Sequence, residues 1–259
     1  MRVAALYDIH GNLPALDAVL ADVRSARVDR IVVGGDVLPG PMPRETLDRL
    51  VSLDVPVDYL YGNGEVAALE YLSGRVPSAL PEAYRTTNAW CAEAIRSTYG
   101  DAVARWPKTL RLRVDGIGDV VFCHGTPRDE NEIFTVRTSG DTLRPIFDPL
   151  NAALVVCGHT HIPFDRMVGR TRVVNAGSVG MPFGSAGADW LIVGPDVRPR
   201  RTDYDRARAA ERIRATAYPD AERFAATFVL NPPSAETMLD VFSGGELRGG
   251  SDRSPRAGG

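Results

Sequence analysis

The stretch RVAALYDIHGN, residues 2–12, indicates the fold of the whole chain. Residues 2–7 form a short apolar run, which is typical of a buried β-strand, and this run ends directly at Asp8. His10 follows two positions later, and Gly11 and Asn12 separate the strand from a segment with helical spacing of apolar residues. A buried strand that ends in polar side chains and leads into a helix predicts an α/β fold with its chemistry at the strand end.

Two similar units follow. Residues 29–33 form a strand that closes with Gly34-Gly35-Asp36, and residues 55–61 form a strand that closes with Gly62-Asn63-Gly64-Glu65. A helix is predicted between them, around residues 44–53. The first 65 residues therefore have the order β-α-β-α-β, which is typical of parallel crossover units.

The rest of the chain alternates less regularly. Residues 66–105 favour helices, and we expect them to form a helical insert or cap beside the sheet. We predict residues 1–230 to be one domain and residues 231–259, rich in Gly, Ser, Pro and Arg, to be a partly disordered tail, chiefly from about residue 244. Further strands are predicted at 110–114, 120–123, 153–157, 164–168, 171–175 and 190–193, and further helices at 141–150, 206–217 and 221–228.

Composition and charge favour a globular protein that acts on small molecules. The chain has 259 residues, 44% apolar and 24% charged, with a formal net charge of −3. Lys108 is the only lysine, so there is no lysine-rich patch for nucleic acid, and we expect no stable nucleic-acid partner. No apolar run approaches the roughly 20 residues of a membrane span, so we expect no membrane partner and a cytoplasmic location. The three cysteines fit a reducing compartment better than a disulfide framework.

The chain contains four histidines, and each one follows a short apolar strand. Catalytic groups of α/β folds gather at the carboxyl ends of strands, and two aspartates and an asparagine follow the same rule. Imidazole and carboxylate ligands suit zinc, iron, manganese and similar ions. Seven ligands exceed one tetrahedral site but suit two ions that share a carboxylate, about 3.5–4 Å apart, with a bridging hydroxide between them. The candidate catalytic and metal-binding residues are Asp8, His10, Asp36, Asn63, His124, His159 and His161.

These residues lie in five dispersed motifs, and their order and spacing resemble those of the calcineurin-like metallophosphoesterases, in particular the small bacterial and archaeal phosphodiesterase-like branch. The resemblance covers about residues 1–195. It implies an α/β fold, a four-layer α-β-β-α sandwich with two mixed β-sheets flanked by helices. The motifs are Asp8-Ile9-His10, Gly35-Asp36, Gly62-Asn63, His124-Gly125 and Gly158-His159-Thr160-His161, and the segment at 175–180 adds to them.

The resemblance also implies a function and a ligand assignment. It implies a metal-dependent phosphoesterase that hydrolyses phosphodiester bonds through a metal-bridging hydroxide, without a covalent phosphoenzyme. Two divalent ions are expected, and Mn, Fe, Zn, Co and Ni all remain open. In this assignment Asp36 bridges the two ions. One ion takes Asp8, His10, Asp36 and His161, and the other takes Asp36, Asn63, His124 and His159.

One position departs from the family pattern. Many members have a histidine after the asparagine of the third motif, where it contacts the phosphate and helps to protonate the leaving group; here the residue is Gly64. Loss of a general acid penalises poor leaving groups most, so we predict activity on aryl phosphodiesters and weaker activity on alkyl monoesters. Gly64 is also expected to open space for a larger substrate. Asn12, Thr126 and Arg128 follow metal motifs and are further candidates for substrate contacts.

Several alternatives stay open. The substrate, a small phosphoester or a nucleotide, could be a phosphomonoester, as for a protein Ser/Thr phosphatase or a dinucleoside polyphosphate hydrolase. A weakly active, metal-dependent binding or regulatory protein is another possibility, and so is a scaffold subunit that acts through residues 66–105. The oligomeric state is open. Cys123 and Cys157 are interpreted as core residues, because adjacent side chains of a strand face opposite ways. Glu65 is interpreted as a helix cap, with catalysis as the alternative, and Asn175 as either a second support for the site or a turn residue.

Overall fold

The computed structural model describes residues 1–77 and 80–247, and its strands form two five-stranded sheets. The strands are β1 (Val3–Leu6), β2 (Arg30–Gly34), β3 (Val57–Leu60), β4 (Thr109–Val114), β5 (Gly118–Cys123), β6 (Leu154–Cys157), β7 (Phe164–Val168), β8 (Thr171–Asn175), β9 (Ala188–Val193) and β10 (Val197–Thr202). The helices are α1 (Leu13–Ala26), α2 (Pro43–Val51), α3 (Asn63–Leu72), α4 (Arg85–Ile95), α5 (Gly100–Val103), α6 (Gly140–Phe147), α7 (Arg206–Arg214), α8 (Ala221–Arg223) and α9 (Ala235–Ser243). Short 3₁₀ turns lie at Glu82–Tyr84 and Asp148–Leu150, and a π-helix, Phe224–Leu230, continues α8.

Both sheets are mixed. The first sheet has the order β10-β9-β1-β2-β3, in which β1, β2 and β3 are parallel and β9 and β10 are antiparallel to their neighbours. The second sheet has the order β4-β5-β6-β8-β7, in which β5, β6 and β8 are parallel and the two edge strands are antiparallel. The parallel strands of each sheet bring their carboxyl ends to the same edge, which is where the candidate site residues follow.

Strand β1 shows how the layers are built. Successive residues of a strand point to opposite faces, so Val3 and Ala5 enter the core between the two sheets while Ala4 and Leu6 pack against helices. A third core joins β5 and β6 to α6 on the far side of the second sheet. Burial of apolar surface, worth roughly 25 cal/mol per Å², holds these layers together. The four layers confirm the predicted α-β-β-α sandwich with two mixed sheets.

The structure adds two elements that the sequence patterns do not predict. Strand β10 has Arg198, Pro199 and Arg200 at exposed positions, so it lacks apolar alternation, and proline is tolerated there because β10 is an edge strand. Helix α9 lies within the expected tail, and it begins where the Ser234 side chain accepts a hydrogen bond from the Thr237 backbone N–H at 3.1 Å. This part of the tail is therefore structured. Residues 248–259, where most of the predicted disorder falls, lie outside the described residues.

The segment 66–105 is mainly helical where the structure describes it. It includes most of α3, all of α4 and α5, and one 3₁₀ turn, and its residues 78 and 79 lie outside the described part. The apolar faces of α3 and α4 pack onto the helix side of the first sheet, for example through Ala68 and Ile95. Across the described residues, every helix is too short or too polar to cross a membrane.

Candidate metal centre

The carboxyl ends of five strands meet at one edge of the sandwich, and all seven candidate ligands lie there. Strands β1, β2 and β3 deliver Asp8, His10, Asp36 and Asn63, and β5 and β6 deliver the remaining three histidines. Backbone hydrogen bonds tie the first two loops together, from Asp8 N to Gly35 O at 3.1 Å and from His10 N to Asp36 O at 2.9 Å. Side chains that are far apart in sequence are therefore held in one place by the ladder of the first sheet.

The backbone at the site has an unusual conformation. Eight non-glycine residues of the described chain have positive φ, and five of them are candidate ligands: Asp8, His10, Asp36, His159 and His161. This left-handed region is unfavourable for residues with a Cβ, and non-glycine residues held there tend to cluster at functional sites. The tight turns after β1, β2 and β6 bend each side chain back toward the cluster.

Two glycines allow the sheets to approach closely beneath the cluster. A Cβ on Gly34 would lie 2.0 Å from the Tyr7 ring, and a Cβ on Gly158 would lie 2.4 Å from Asp8 Oδ2. The Tyr7 ring fills this space from the core between the sheets, and its hydroxyl donates a hydrogen bond to Val156 O at 3.0 Å. Both positions therefore require glycine because of close approach.

Three side chains form a compact first ligand group, which consists of Asp8, His10 and His161. The Nε2 atoms of His10 and His161 are 3.2 Å apart, and Asp8 Oδ1 lies 3.2 Å from His161 Nε2. One ligand atom from each residue lies within 4.8 Å of the other two, a spacing suited to one shared cation.

The second ligand group, Asp36, Asn63, His124 and His159, is more open. Asn63 Oδ1 lies 3.1 Å and Asp36 Oδ1 lies 3.5 Å from His124 Nε2. The His159 ring faces the His124 ring with 5.1 Å between centroids, and its backbone N–H donates to Asp8 Oδ2 at 2.9 Å. Asp8 Oδ1 is also within 3.8 Å of His124 Nε2, so Asp8 as well as Asp36 reaches toward both groups.

Three of the histidines are fixed in the same tautomer by backbone carbonyl groups. In each ring Nδ1 lies at hydrogen-bond distance from a carbonyl oxygen, so Nδ1 carries the proton and Nε2 turns a lone pair toward the cluster. This is how metal-bound histidines are commonly oriented by their surroundings. The pairs are His10 with Pro39 O at 3.0 Å, His124 with Gly34 O at 3.0 Å and His161 with Met181 O at 2.8 Å.

The cluster fits a cation better than it fits its own polar atoms. Among the described residues, Asp8 Oδ1 and His159 Nε2 are buried side-chain atoms without a hydrogen-bond partner. The facing Nε2 atoms of His10 and His161 have no proton to share when both rings are neutral. Buried lone pairs that point at one another are unfavourable, and divalent cations with a preference for N and O ligands remove that penalty.

Burial and mutual repulsion keep two rings neutral. Burial, helped by the nearby His161, lowers the pKa of His10 to about 3, and burial, helped by His124, lowers the pKa of His159 to about 3. For His161 burial acts in the same direction, but the carboxylate of Asp8 outweighs it and the pKa is raised. Rings that stay neutral are ready to act as ligands without losing a proton first.

The two carboxyl groups behave oppositely. Burial disfavours the charged form of Asp8, yet the surrounding imidazoles, His161 first, hold its pKa below the ordinary value. Burial and the neighbouring carboxylates of Glu65 and Asp8 raise the pKa of Asp36 well above the ordinary value. Asp36 is therefore the carboxyl group that most needs a nearby positive charge in order to ionise.

Glu65 supports the second ligand group. Its buried carboxylate accepts three backbone hydrogen bonds, from Gly62 N at 2.7 Å, Asp36 N at 2.8 Å and Leu38 N at 3.0 Å. The first of these caps α3, in line with the cap interpretation, and the other two hold the loop that carries Asp36. The capping-box spacing reveals the first contact from sequence, whereas the loop contacts depend on tertiary packing.

The segment after β8 supports the histidine turn. Asn175 donates to Gly158 O at 2.6 Å and to Thr160 Oγ1 at 3.1 Å, and it accepts from Gly177 N at 2.8 Å. Asn175 is therefore both a turn residue and a support for the two histidines after β6. Ser178 joins this segment to the first strand by donating to Asp8 O at 2.7 Å.

Two of the expected substrate contacts are corrected by the packing. A Cβ on Gly64 would lie 2.0 Å from Leu38 O, so this glycine opens no space for substrate; the Leu38 carbonyl already fills it. The Gly64 N–H instead donates to Asp36 Oδ1 at 2.7 Å. Asn12 is fully buried: it caps α1 by accepting from Ala15 N at 3.2 Å, and it donates to Gly180 O at 2.9 Å.

The other two candidates are engaged with each other's neighbours rather than free. Thr126 is buried and donates to Glu132 Oε2 at 2.5 Å. Arg128 pairs with the same carboxylate, with Nε 2.7 Å from Oε2 and 2.8 Å from Oε1. This local network orders the loop after β5, so the geometry does not favour either residue as a phosphate contact. Cys123 and Cys157 lie in the core between the second sheet and α6, as expected for residues that face away from the histidines.

Fold and site together define a class of protein: a two-sheet α/β sandwich with a His/Asp/Asn cluster at its strand ends, suited to divalent metal ions. A family model described as the calcineurin-like phosphoesterase superfamily domain matches residues 1–194. The chain belongs to this superfamily, which confirms the resemblance seen in its motifs. Membership supports metal-dependent phosphoester hydrolysis and implies divalent metal ions as cofactors.

Three relatives extend the comparison. An uncharacterized protein of Methanocaldococcus jannaschii is 25% identical over 234 residues, which cover 82% of this chain and 91% of that protein. The crystal structure of a metallophosphoesterase from Sphaerobacter thermophilus has a TM-score of 0.68 and 26% identity, and covers 90% of this chain and 99% of its own. The crystal structure of a hypothetical protein from Pyrococcus horikoshii has a TM-score of 0.75 at 20% identity, with the same coverage, and shows the fold alone.

Proposed function

We propose that this protein hydrolyses phosphodiester bonds in small substrates, with two divalent metal ions held by the seven strand-end side chains. The observation that carries the proposal is the position of Asp36 between two sets of histidines. Its Oδ2 lies 3.7 Å from His10 Nε2, and its Oδ1 lies 3.5 Å from His124 Nε2. A carboxylate with one oxygen toward each group is suited to bridge two ions.

In the proposed centre each group of side chains holds one ion. A bound pair supplies Lewis acidity and a water-derived nucleophile for in-line attack, so a covalent phosphoenzyme is not needed. The chain contributes the orientation of the ligands, through the carbonyl groups that fix three imidazoles and through Glu65, which fixes the Asp36 loop. The first group would hold one ion, the second group would hold the other, and Asp36 would be shared.

The chain offers no spare histidine as an acid for the leaving group. All four histidines of the sequence belong to the cluster, and Gly64 has no side chain at the position where a fifth is common in the family. A general acid is worth typically 10²–10⁴-fold, and substrates with acidic leaving groups need it least. This favours aryl phosphodiesters over alkyl phosphomonoesters as substrates.

The test is a leaving-group series. Protein stripped with a chelator and reloaded with Mn²⁺ is assayed on methyl aryl phosphodiesters whose phenols range from strongly to weakly acidic, and on the matching aryl monoesters. We expect hydrolysis of the diesters, with kcat/KM falling steeply as the leaving group becomes more basic. The chelated protein is the control and should be inactive.

Other results would change the assignment. A flat dependence on leaving-group pKa would mean that a side chain donates the proton after all. Faster hydrolysis of monoesters would favour a phosphomonoesterase. Two bound ions per chain without turnover of either series would favour a metal-dependent binding or regulatory role.

A further inference from the structure

The C-terminal part of the chain reaches the candidate metal centre, although it lies outside the residues that match the family model. Helix α9 places Leu239 and Phe242 against Phe183 in a small apolar cluster. The rings of Phe183 and Phe242 are 6.2 Å apart, and Gly184 N donates to Pro233 O at 2.8 Å. The loop after β8 is therefore covered by the chain that leads into α9 and by α9 itself.

Phe183 in turn lies directly on a candidate ligand. Its ring is stacked on the His161 ring, with 4.9 Å between centroids and 20° between planes, and its backbone N–H donates to His161 O at 3.3 Å. His161 is thus held on two sides, by this ring and by the hydrogen bond from Nδ1 to Met181 O. The direction of its Nε2 toward Asp8 depends on both contacts.

The same segment is fastened at its far end to the loop after β5. Leu247 N donates to Ile133 O at 2.7 Å, and the Glu246 side chain accepts from Thr138 Oγ1 at 2.8 Å. Arg137 of that loop pairs with Asp240 of α9 at 2.7 Å. Contacts at both ends leave little freedom for α9 to move away from Phe183.

We propose that Phe183 is a positioning residue for His161, and that α9, through Leu239 and Phe242, holds Phe183 in place. The inference rests on the proposed metal centre, because it assigns to these apolar residues an effect on the affinity of the first ligand group for its ion. Partners that orient a metal-bound histidine typically change metal affinity by about 10–100-fold when they are removed. An apolar stack that fixes one ring should lie at the low end of that range.

The experiment measures binding of Co²⁺ to the chelator-stripped full chain by visible absorption, together with the melting temperature of the stripped protein. Phe183→Leu removes the ring and keeps an apolar side chain, and Phe242→Leu does the same one contact further away. Val241→Ala is the matched control, because Val241 lies on α9 with 63% of its surface exposed. Ile213→Ala, in the core beside α7, controls for loss of stability alone.

We expect Phe183→Leu to weaken the tighter Co²⁺ site by about tenfold and to change its absorption spectrum, with a smaller shift in the same direction for Phe242→Leu. Val241→Ala should bind as the wild type does, and Ile213→Ala should lower the melting temperature without changing Co²⁺ affinity. Unchanged affinity and spectrum in Phe183→Leu, with normal binding by the wild type, would overturn this inference alone. Absence of Co²⁺ binding in the wild type would overturn the proposed centre as well.

Discussion

The two ligand groups of the candidate centre differ in how completely they are assembled. In the first group the imidazole nitrogens of His10 and His161 are already 3.2 Å apart, and Asp8 Oδ1 is 3.2 Å from His161. In the second group Asp36 Oδ1 is 3.5 Å from His124 Nε2, and His159 Nε2 has no partner among the described residues. The first group is thus closer to a preformed site, whereas the second needs its ion to draw the ligands together.

The shared carboxylate should erase the difference between the groups when it is removed. Asp36→Ala is expected to lower kcat/KM for aryl phosphodiesters by at least ~10³-fold, because the several kcal/mol of transition-state stabilisation from two ions would be lost. Metal analysis after gel filtration should show both ions weakened. Asp36→Asn keeps the size of the side chain and one oxygen for the Gly64 N–H, so it serves as a folding control. Full occupancy of one site in Asp36→Ala would show that the carboxylate does not bridge.

Single histidine variants should separate the two groups. His159→Ala is expected to retain one tightly bound ion per chain, because it leaves the compact first group intact. His161→Ala removes a ligand from that group and should release the tighter ion. The measurement is Mn²⁺ or Co²⁺ stoichiometry and affinity by titration of the stripped protein. If His159→Ala lost the tighter ion instead, the order of the two groups would be reversed.

Glu65 offers a way to loosen the second group without touching a ligand. Glu65→Gln replaces one carboxylate oxygen with an amide N–H₂ that cannot accept from Gly62, Asp36 or Leu38. We expect metal affinity and activity to fall by about 10–100-fold, with the weaker ion affected more than the tighter one. Equal weakening of both ions would indicate a general loss of fold stability, which the melting temperature of the stripped protein would reveal.

The smallest expected effect is on the pH dependence of stability in the metal-free protein. His10 and His159 have pKa values lowered to about 3 in the folded chain, against about 6.5 when unfolded. Below about pH 6.5 the unfolded chain therefore binds protons that the folded chain refuses, so stability falls with falling pH. The raised pKa of His161 acts in the opposite direction and offsets part of this loss.

Melting temperatures in the presence of a chelator should accordingly drop by several degrees between pH 7 and pH 5. His159→Ala is the matched variant, because it removes one of the two lowered rings and should flatten the curve. A pH profile in that variant as steep as in the wild type would contradict this account.

The sequence predicts the strand-end cluster because its signals are local. A buried strand that ends in Asp8 or His124 is visible in a few residues, and the parallel topology then brings the ends together. Substrate contacts depend instead on which atoms fill the neighbouring space. Gly64 looks open in the sequence, and only the packed loop shows Leu38 O in that position. The stack of Phe183 on His161 likewise has no local signal, because it is formed by a loop after another strand.

The left-handed residues at the strand ends have a consequence for how this chain could change over time. A residue with a Cβ in that region costs roughly 1–2 kcal/mol relative to the ordinary helical conformation, whereas glycine adopts it readily. Five candidate ligands, among them Asp36 and His159, are in this conformation. Selection for heat resistance alone would favour glycine at each of these positions. A lineage that no longer needed the metal centre should therefore lose it first through Asp-to-Gly and His-to-Gly changes, with a gain in stability at every step.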